Sequence, residues 1–208
     1  MTALPSALAR QLPRFGEAGA EFARYLPRRV KALARRWRLR VGPPYEPGGV
    51  TSWTAPAIRR SDRRPVVLKV VVPHDEAAAE PVGLAAWDGR GAVRLLEHDP
   101  GSWALLLERL GPATLDDLPP AGRLTPLVDI LADLWSVEPP AEVPTLAEHA
   151  TTLAERLAER PVDSGWDPGV VRQAIVTLRG AGAGTPPRGG LAGHHPRGDM
   201  LARGGGWA

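Results

Sequence analysis

Apolar residues recur at helical spacing through the first forty positions. Residues 20–25 carry that spacing. Residues 26–39 form a basic amphipathic stretch with Val30, Leu33, Ala34 and Trp37 on one stripe. Arg28, Arg29, Lys31, Arg35, Arg36, Arg38 and Arg40 crowd the remaining faces. Such a helix either packs its stripe on a domain with the basic face solvated, or meets a nucleic acid or a membrane surface. Little aromatic interleaving and no nucleic-acid motif accompany it, so the solvated face is the preferred reading.

The pattern then changes to period two. Gly42-Pro43-Pro44 breaks the helix, and Glu46-Pro47-Gly48-Gly49 is a turn signal. A polar turn at 62–65 leads into 66–72, a β-branched run that reads as a buried strand carrying Lys69. Residues 74–87 read as a short, imperfect helix. The turn Asp88-Gly89-Arg90-Gly91 leads into a strand at 92–96, and 103–110 (WALLLERL) reads as another.

From Gly111 the spacing is helical again. Leu127, Ile130, Leu131 and Leu134 share a face within 124–135. Thr145 and Glu148 form a capping box, followed by Leu146, Leu153 and Leu157 at helical spacing. Asp167-Pro168 opens a helix with the stripe Val171, Ile175, Leu178, and Gly180 stands where a C-cap belongs. Beyond Gly180 the chain is rich in Gly, Pro and Arg, without a period, and reads as loop. Three segments result: a helical 1–40, a strand-rich 41–110, and a helical 111–208 with its aperiodic tail.

Composition narrows the function classes. The 208 residues suit one large domain or two lobes, and 43% hydrophobic with 24% charged residues is ordinary for a globular chain. No run of about 18 apolar residues is present, which excludes a helical membrane span. The N-terminus lacks a secretory pattern, so a cytoplasmic location is expected. With no cysteine, disulfides, thiolate-bound zinc, iron–sulfur centres and thiol nucleophiles are excluded. The net charge is +3, and Lys31 and Lys69 are the only lysines among 26 basic residues. That arginine skew reads as the codon bias of a GC-rich genome, and it makes each lysine more informative.

A lysine in the middle of an apolar strand either snorkels to an edge or meets an anion. In the second reading Lys69 coordinates phosphate and pairs with an acid on the following helix. Glu76 and Glu80 are the candidates, four residues apart and so on one helical face. Gly48 and Gly49 lie upstream, where a phosphate-covering loop would be.

These residues together resemble a family. The order runs from a helical leader with a Trp, through Gly-Gly and SWTAP, to VLKV and a Glu-bearing helix. It closes with LAAWDGRGAVRLLEHD and ALLLERL. The chain is similar to the bacterial aminoglycoside/hydroxyurea antibiotic-resistance kinases, the group containing streptomycin 6-kinases. The resemblance implies an α+β, protein-kinase-like bilobal fold. Its N-lobe would be a small antiparallel sheet with one helix, and its C-lobe an incomplete α-helical one. It implies transfer of the ATP γ-phosphate, with Mg2+, to a hydroxyl of a streptomycin-like aminoglycoside or to hydroxyurea. Lys69 would meet the α- and β-phosphates, Glu80 would hold Lys69, and Gly48 and Gly49 would cover the phosphates. Glu108, Arg109 and Leu110 would be the hinge whose backbone meets adenine. Pro81 and Gly83 suit a helix interior poorly, so that helix either starts near Glu80 or is kinked there.

The chain departs from the family at its catalytic motif, HGDLHPGNML. The corresponding stretch here is AGHHPRGDML, 192–201. In an ungapped register His194 takes the place of the catalytic Asp, while Asp199 keeps an oxygen ligand for magnesium. Family members also continue past Gly-Gly-Trp into a strand with a second metal-binding Asp and further helices. A truncated or degenerate kinase with impaired transfer is therefore expected. The alternative is a non-catalytic nucleotide-binding or interaction protein, a pseudokinase-like remnant.

Overall fold

A computed structural model describes residues 2–159, 165–183, 202–203 and 206–207. The chain forms two compact units, Met1–Val137 with His195–Ala208, and Glu138–His194.

The first unit opens with helices α1 (Ser6–Gln11) and α2 (Gly16–Arg36). Its sheet then begins with β1 (Leu39–Val41), β2 (Ser52–Arg59) and β3 (Pro65–Val71). Two short helices follow, α3 (Asp75–Ala78) and α4 (Glu80–Trp87). Strands β4 (Leu95–Asp99) and β5 (Ala104–Glu108) complete a five-stranded sheet in the order β1-β2-β3-β5-β4, antiparallel throughout. Helix α5 (Pro120–Trp135) ends the main part of this unit. An open antiparallel sheet with a helical insertion after its third strand is the kinase-like N-lobe arrangement that the resemblance implies.

Period two decides how the sheet packs. Val66, Leu68 and Val70 of β3 are fully buried, as are Ala104 and Leu106 of β5. They share one core with Trp53, Ala55 and Ala57 of β2 and with Leu8, Phe22, Leu26, Val30, Leu33 and Trp37 of the leading helices. The apolar stripe of α2 therefore covers one face of the sheet, and its basic residues line the other side of the helix. Segment 1–40 is thus part of the same packed body as the strands. Burying each Val, Leu or Phe here contributes about 1.5–3 kcal/mol.

Several boundaries differ from the sequence expectation. The second helix stops at Arg36 rather than 39, because Arg38 turns the chain at φ 52° and Leu39 pairs with Arg59. The helix expected over 74–87 is two helices, broken at Ala79. The fourth strand is Leu95–Asp99 instead of 92–96: pairing with β5 sets it, with a register shift between Leu95 and Glu97. The fifth is shorter than 103–110, since Trp103 sits at φ 51° before Ala104.

Helix α5 turns Ile130, Leu127, Leu131 and Leu134 inward, as their spacing predicts. It is held where Gly91 meets it. Gly91 has φ 67°, and an added Cβ would lie 3.0 Å from the Ile130 carbonyl oxygen and 3.0 Å from Leu134 Cγ. The Trp87 indole also donates to the Leu134 carbonyl at 3.3 Å.

The second unit holds α6 (Leu146–Ala158) and α7 (Pro168–Ala183). The Thr145–Glu148 capping box is formed. The Asp167 carboxylate accepts from the Gly169 and Val170 N–H groups at 2.7 and 3.0 Å, starting α7. Ala150 and Ala154 are the buried positions of α6, while Leu153 is 39% exposed. Small side chains let a helix approach its neighbour closely, and Leu153 lies just off that seam. Gly180 does not cap α7, which runs on to Ala183. In the aperiodic tail a two-residue pair, β6 (Ala202–Arg203) and β7 (Gly206–Trp207), is described. Among the described residues no helix is long and apolar enough to cross a membrane.

Two outcomes are expected. Gly91→Ala should cost about 2 kcal/mol through left-handed backbone strain and contact with α5, read as a lower urea midpoint. An unchanged midpoint would mean that α5 does not press on this turn. At the α6 N-terminus, hydrogen bonds from the Thr145 backbone N–H and hydroxyl hold the Glu148 carboxyl below its ordinary value of 4.5. A folded value below the unfolded one contributes stability above pH 4.5 that is lost as pH falls through the folded value. An NMR titration of the Glu148 carboxyl should therefore give a midpoint under 4.5, and Thr145→Ala should raise it.

Candidate active site

The face of the sheet opposite the core carries the candidate chemistry. Residues directly paired across antiparallel strands share a face. Lys69 pairs with Thr54 on one side and Leu105 on the other. The next row is Pro56, Val67 and Leu107, and beyond it Ile58 pairs with Pro65. Lys69, Val67, Thr54, Pro56 and Ile58 are all half-buried, whereas their alternating neighbours in β2 and β3, from Ala55 to Ala57 and from Val66 to Val70, are buried. Lys69 thus points away from the core because its neighbours point into it.

Helix α4 supplies the partner. Lys69 Nζ lies 2.5 Å from Glu80 Oε1, with the side chains 24% and 26% exposed. Glu80 is the first residue of α4 and Pro81 lies in its first turn. Proline is tolerated there because an N–H at that position has no intrahelical acceptor. The helix starts at Glu80, and this brings its carboxylate to the Lys strand. An ammonium has three donors, so the bond to Glu80 leaves capacity for phosphate oxygens. Glu76 falls in α3, and its side chain lies outside the described residues.

Gly48 and Gly49 lie in the loop that joins β1 to β2. That loop leaves the sheet at Ser52, two residues from Thr54 and so at the Lys69 end of β2. Tyr45 N–H donates to the Thr54 carbonyl at 3.0 Å, which ties the outgoing leg to the strand beside Lys69. Gly48 has φ 74°, a conformation that favours glycine.

Glu108 ends β5. Its carboxylate accepts from the Arg94 backbone N–H at 2.6 Å, and its own N–H donates to the Arg94 carbonyl at 3.0 Å. Arg109 is exposed and Leu110 half-buried just past the strand. Arg109 closes an open hollow of about 300 Å3 with Arg40, Gly42, Pro56 and Ile58, edged by Val41 and Ala57. By strand register Pro56 and Ile58 belong to the Lys69 face, so the hollow and the ion pair share one side of the sheet. Arg40, read from the sequence as part of the basic helix face, stands in β1 opposite Ile58, and Thr54, Pro56 and Ile58 are not singled out from the sequence. The alternation of Trp53, Ala55 and Ala57 with them in SWTAPAIR was the available signal.

His194 and Asp199 lie outside the described residues. No group of three His, Cys, Asp or Glu side chains able to hold a metal occurs among the described residues.

The model for the aminoglycoside/hydroxyurea antibiotic resistance kinases matches residues 36–206. The chain belongs to that family. A hydroxyurea phosphotransferase of Kitasatospora aureofaciens is 41% identical over 162 residues, covering 74% of this chain and 47% of that protein. A streptomycin 6-kinase of Streptomyces glaucescens is 36% identical over 159 residues, covering 74% and 50%. Another from Streptomyces griseus is 37% identical over 174 residues, covering 79% and 54%. The chain spans about half the length of the curated relatives it matches. Within the kinase family match, residues 36–206 include β1 to β5, Lys69, Glu80 and the loop bearing Gly48 and Gly49.

Ion pairs open to solvent contribute about 0–1 kcal/mol, and the Lys69–Glu80 pair is open on the side where a ligand would approach. A double-mutant cycle on Lys69→Ala and Glu80→Ala, read by urea unfolding, should give a coupling of that size. A coupling above about 3 kcal/mol, the range of a buried pair broken on one side, would make the pair a structural support of the lobe.

Proposed function

We propose that this chain binds ATP on the Lys69 face of its sheet, as the nucleotide-binding half of a family phosphotransferase. The observation that carries the reading is the Lys69–Glu80 pair beside the base of the Gly48–Gly49 loop. In this reading Lys69 meets the α- and β-phosphates and Glu80 fixes the ammonium. Gly48 and Gly49 bring backbone N–H groups over the phosphates. The backbone at Glu108, Arg109 and Leu110 meets adenine, which occupies the hollow edged by Pro56 and Ile58. The half-buried, cation-bearing face fits a polyphosphate. Magnesium, when bound, would neutralise phosphate charge, and Asp199 is the oxygen ligand the family pattern suggests for it.

The full reaction in this family joins a hydroxyl oxygen to the γ-phosphorus, breaks the bond to the β-phosphate oxygen and releases ADP and a proton. The names of the relatives support a streptomycin-type hydroxyl or hydroxyurea as acceptor.

A second reading is nucleotide binding without transfer. The stretch AGHHPRGDML favours it, because no Asp stands between Gly193 and Asp199 and His194 takes the family's Asp position. An acceptor hydroxyl then lacks the carboxylate that orients it.

Calorimetry with Mg·ATP tests the first reading. The wild-type chain should bind, and Lys69→Ala should weaken binding at least about tenfold, the effect of losing one charge-assisted contact. Binding unchanged by Lys69→Ala would remove the nucleotide site from this face. Steady formation of phosphorylated streptomycin or hydroxyurea, with release of ADP, would overturn the second reading.

A further inference from the structure

The loop bearing Gly48 and Gly49 is held from a side its sequence does not announce. The first residues of the chain grip it at three places, Glu46, Pro47 and Gly48, and hold β2 just past it. Ser6 donates to Glu46 Oε2 through both its backbone N–H and its hydroxyl, each at 3.1 Å. Ala7 N–H donates to the Pro47 carbonyl at 3.0 Å. Pro5, itself fully buried, packs so tightly on Gly48 that an added Cβ would lie 2.5 Å from Pro5 Cβ. Past the loop, the Trp53 indole donates to the Ala3 carbonyl at 2.9 Å, and Trp53 is 1% exposed.

The direction of this grip matters. Trp53 and Leu8 belong to the core on the α2 side of the sheet, whereas Thr54, the next residue of β2, pairs with Lys69 on the other side. The N-terminal segment thus supports the loop tip from the core side. The outgoing leg is pinned separately, by Gly42 N–H to the Pro56 carbonyl at 2.8 Å and Tyr45 N–H to the Thr54 carbonyl. A loop fastened at its leg and its tip loses little further freedom when a ligand arrives. Preorganisation of this kind lowers the ordering cost of binding.

We propose that residues 3–7 form an N-terminal clamp that sets the glycine turn at the Lys69 end of the sheet. Glu46 is then a positioning residue for nucleotide phosphates, acting through the turn without touching them. This rests on the nucleotide reading above. Gly48 serves the clamp through its lack of a side chain toward Pro5, in addition to its left-handed backbone.

The test uses the full chain as wild type, Glu46→Ala, Glu46→Gln, Gly48→Ala and Lys69→Ala. Two quantities are read on each: amide hydrogen exchange without ligand, and Mg·ATP affinity. Glu46→Ala should speed exchange of Ala7 about tenfold, while Tyr45 on the separately pinned leg and Leu68 in the sheet keep their protection. It should also weaken Mg·ATP about three- to tenfold. Gly48→Ala should act in the same direction and more strongly. Glu46→Gln should recover part of both effects, since a carboxamide oxygen still accepts from Ser6. Faster Ala7 exchange with unchanged Mg·ATP affinity would overturn the clamp's positioning role, and unchanged Ala7 exchange would overturn the clamp itself. If the wild-type chain binds no Mg·ATP, the nucleotide reading is what fails, and the positioning role fails with it.

Discussion

The buried face of β3 is the constraint on which the other features rest. Val66, Leu68 and Val70 occupy the middle of a core shared by the sheet and the leading helices. A slip of one residue in that strand would expose all three and drive Lys69 into the core. An unpaired ammonium there would cost several kcal/mol. The register of β3 is therefore strongly specified, and with it the placement of Lys69, Thr54 and Pro56 on the open face.

What the open face does with that placement depends on neighbours of modest stability. The Lys69–Glu80 pair is partly solvated, with its side chains about a quarter exposed. Its position derives from the start of α4, where Ala79 interrupts the helical run and Pro81 fits the first turn. The glycine turn is similar. Its leg is an irregular extension along β2, and its tip is fastened by the first residues of the chain. Rigid support lies beneath the site, and the groups that would meet a ligand lie on short connecting segments above it. Loops set on a scaffold in this way are the usual carriers of function.

The legibility of the sequence followed the range of the interactions involved. The strands of VVLKVV and ALLLE, the turn at Gly91 and the Thr145 and Asp167 caps are signalled by residues within a few positions of each other, and each is present near its expected place. The strand at 92–96 moved to Leu95–Asp99 because its partner, β5, chose the register. Leu153 matched a helical stripe but stands exposed, since two alanines already form the seam of α6. Gly180 carried a stop signal that helix α7 overrides.

The amino-acid pattern by itself determined that one apolar strand carries a lysine, that a glycine turn precedes it and that an acid follows on a helix. These are local facts, written in period and spacing. Tertiary structure alone decided that Glu80 reaches Lys69, that Arg40, Pro56, Ile58 and Arg109 edge one hollow, and that residues 3–7 hold the glycine turn. Pro5 and Gly48 touch across more than forty positions of chain, and neither residue advertises the other. Contacts of that range are selected by how a whole core packs, which no window of sequence contains.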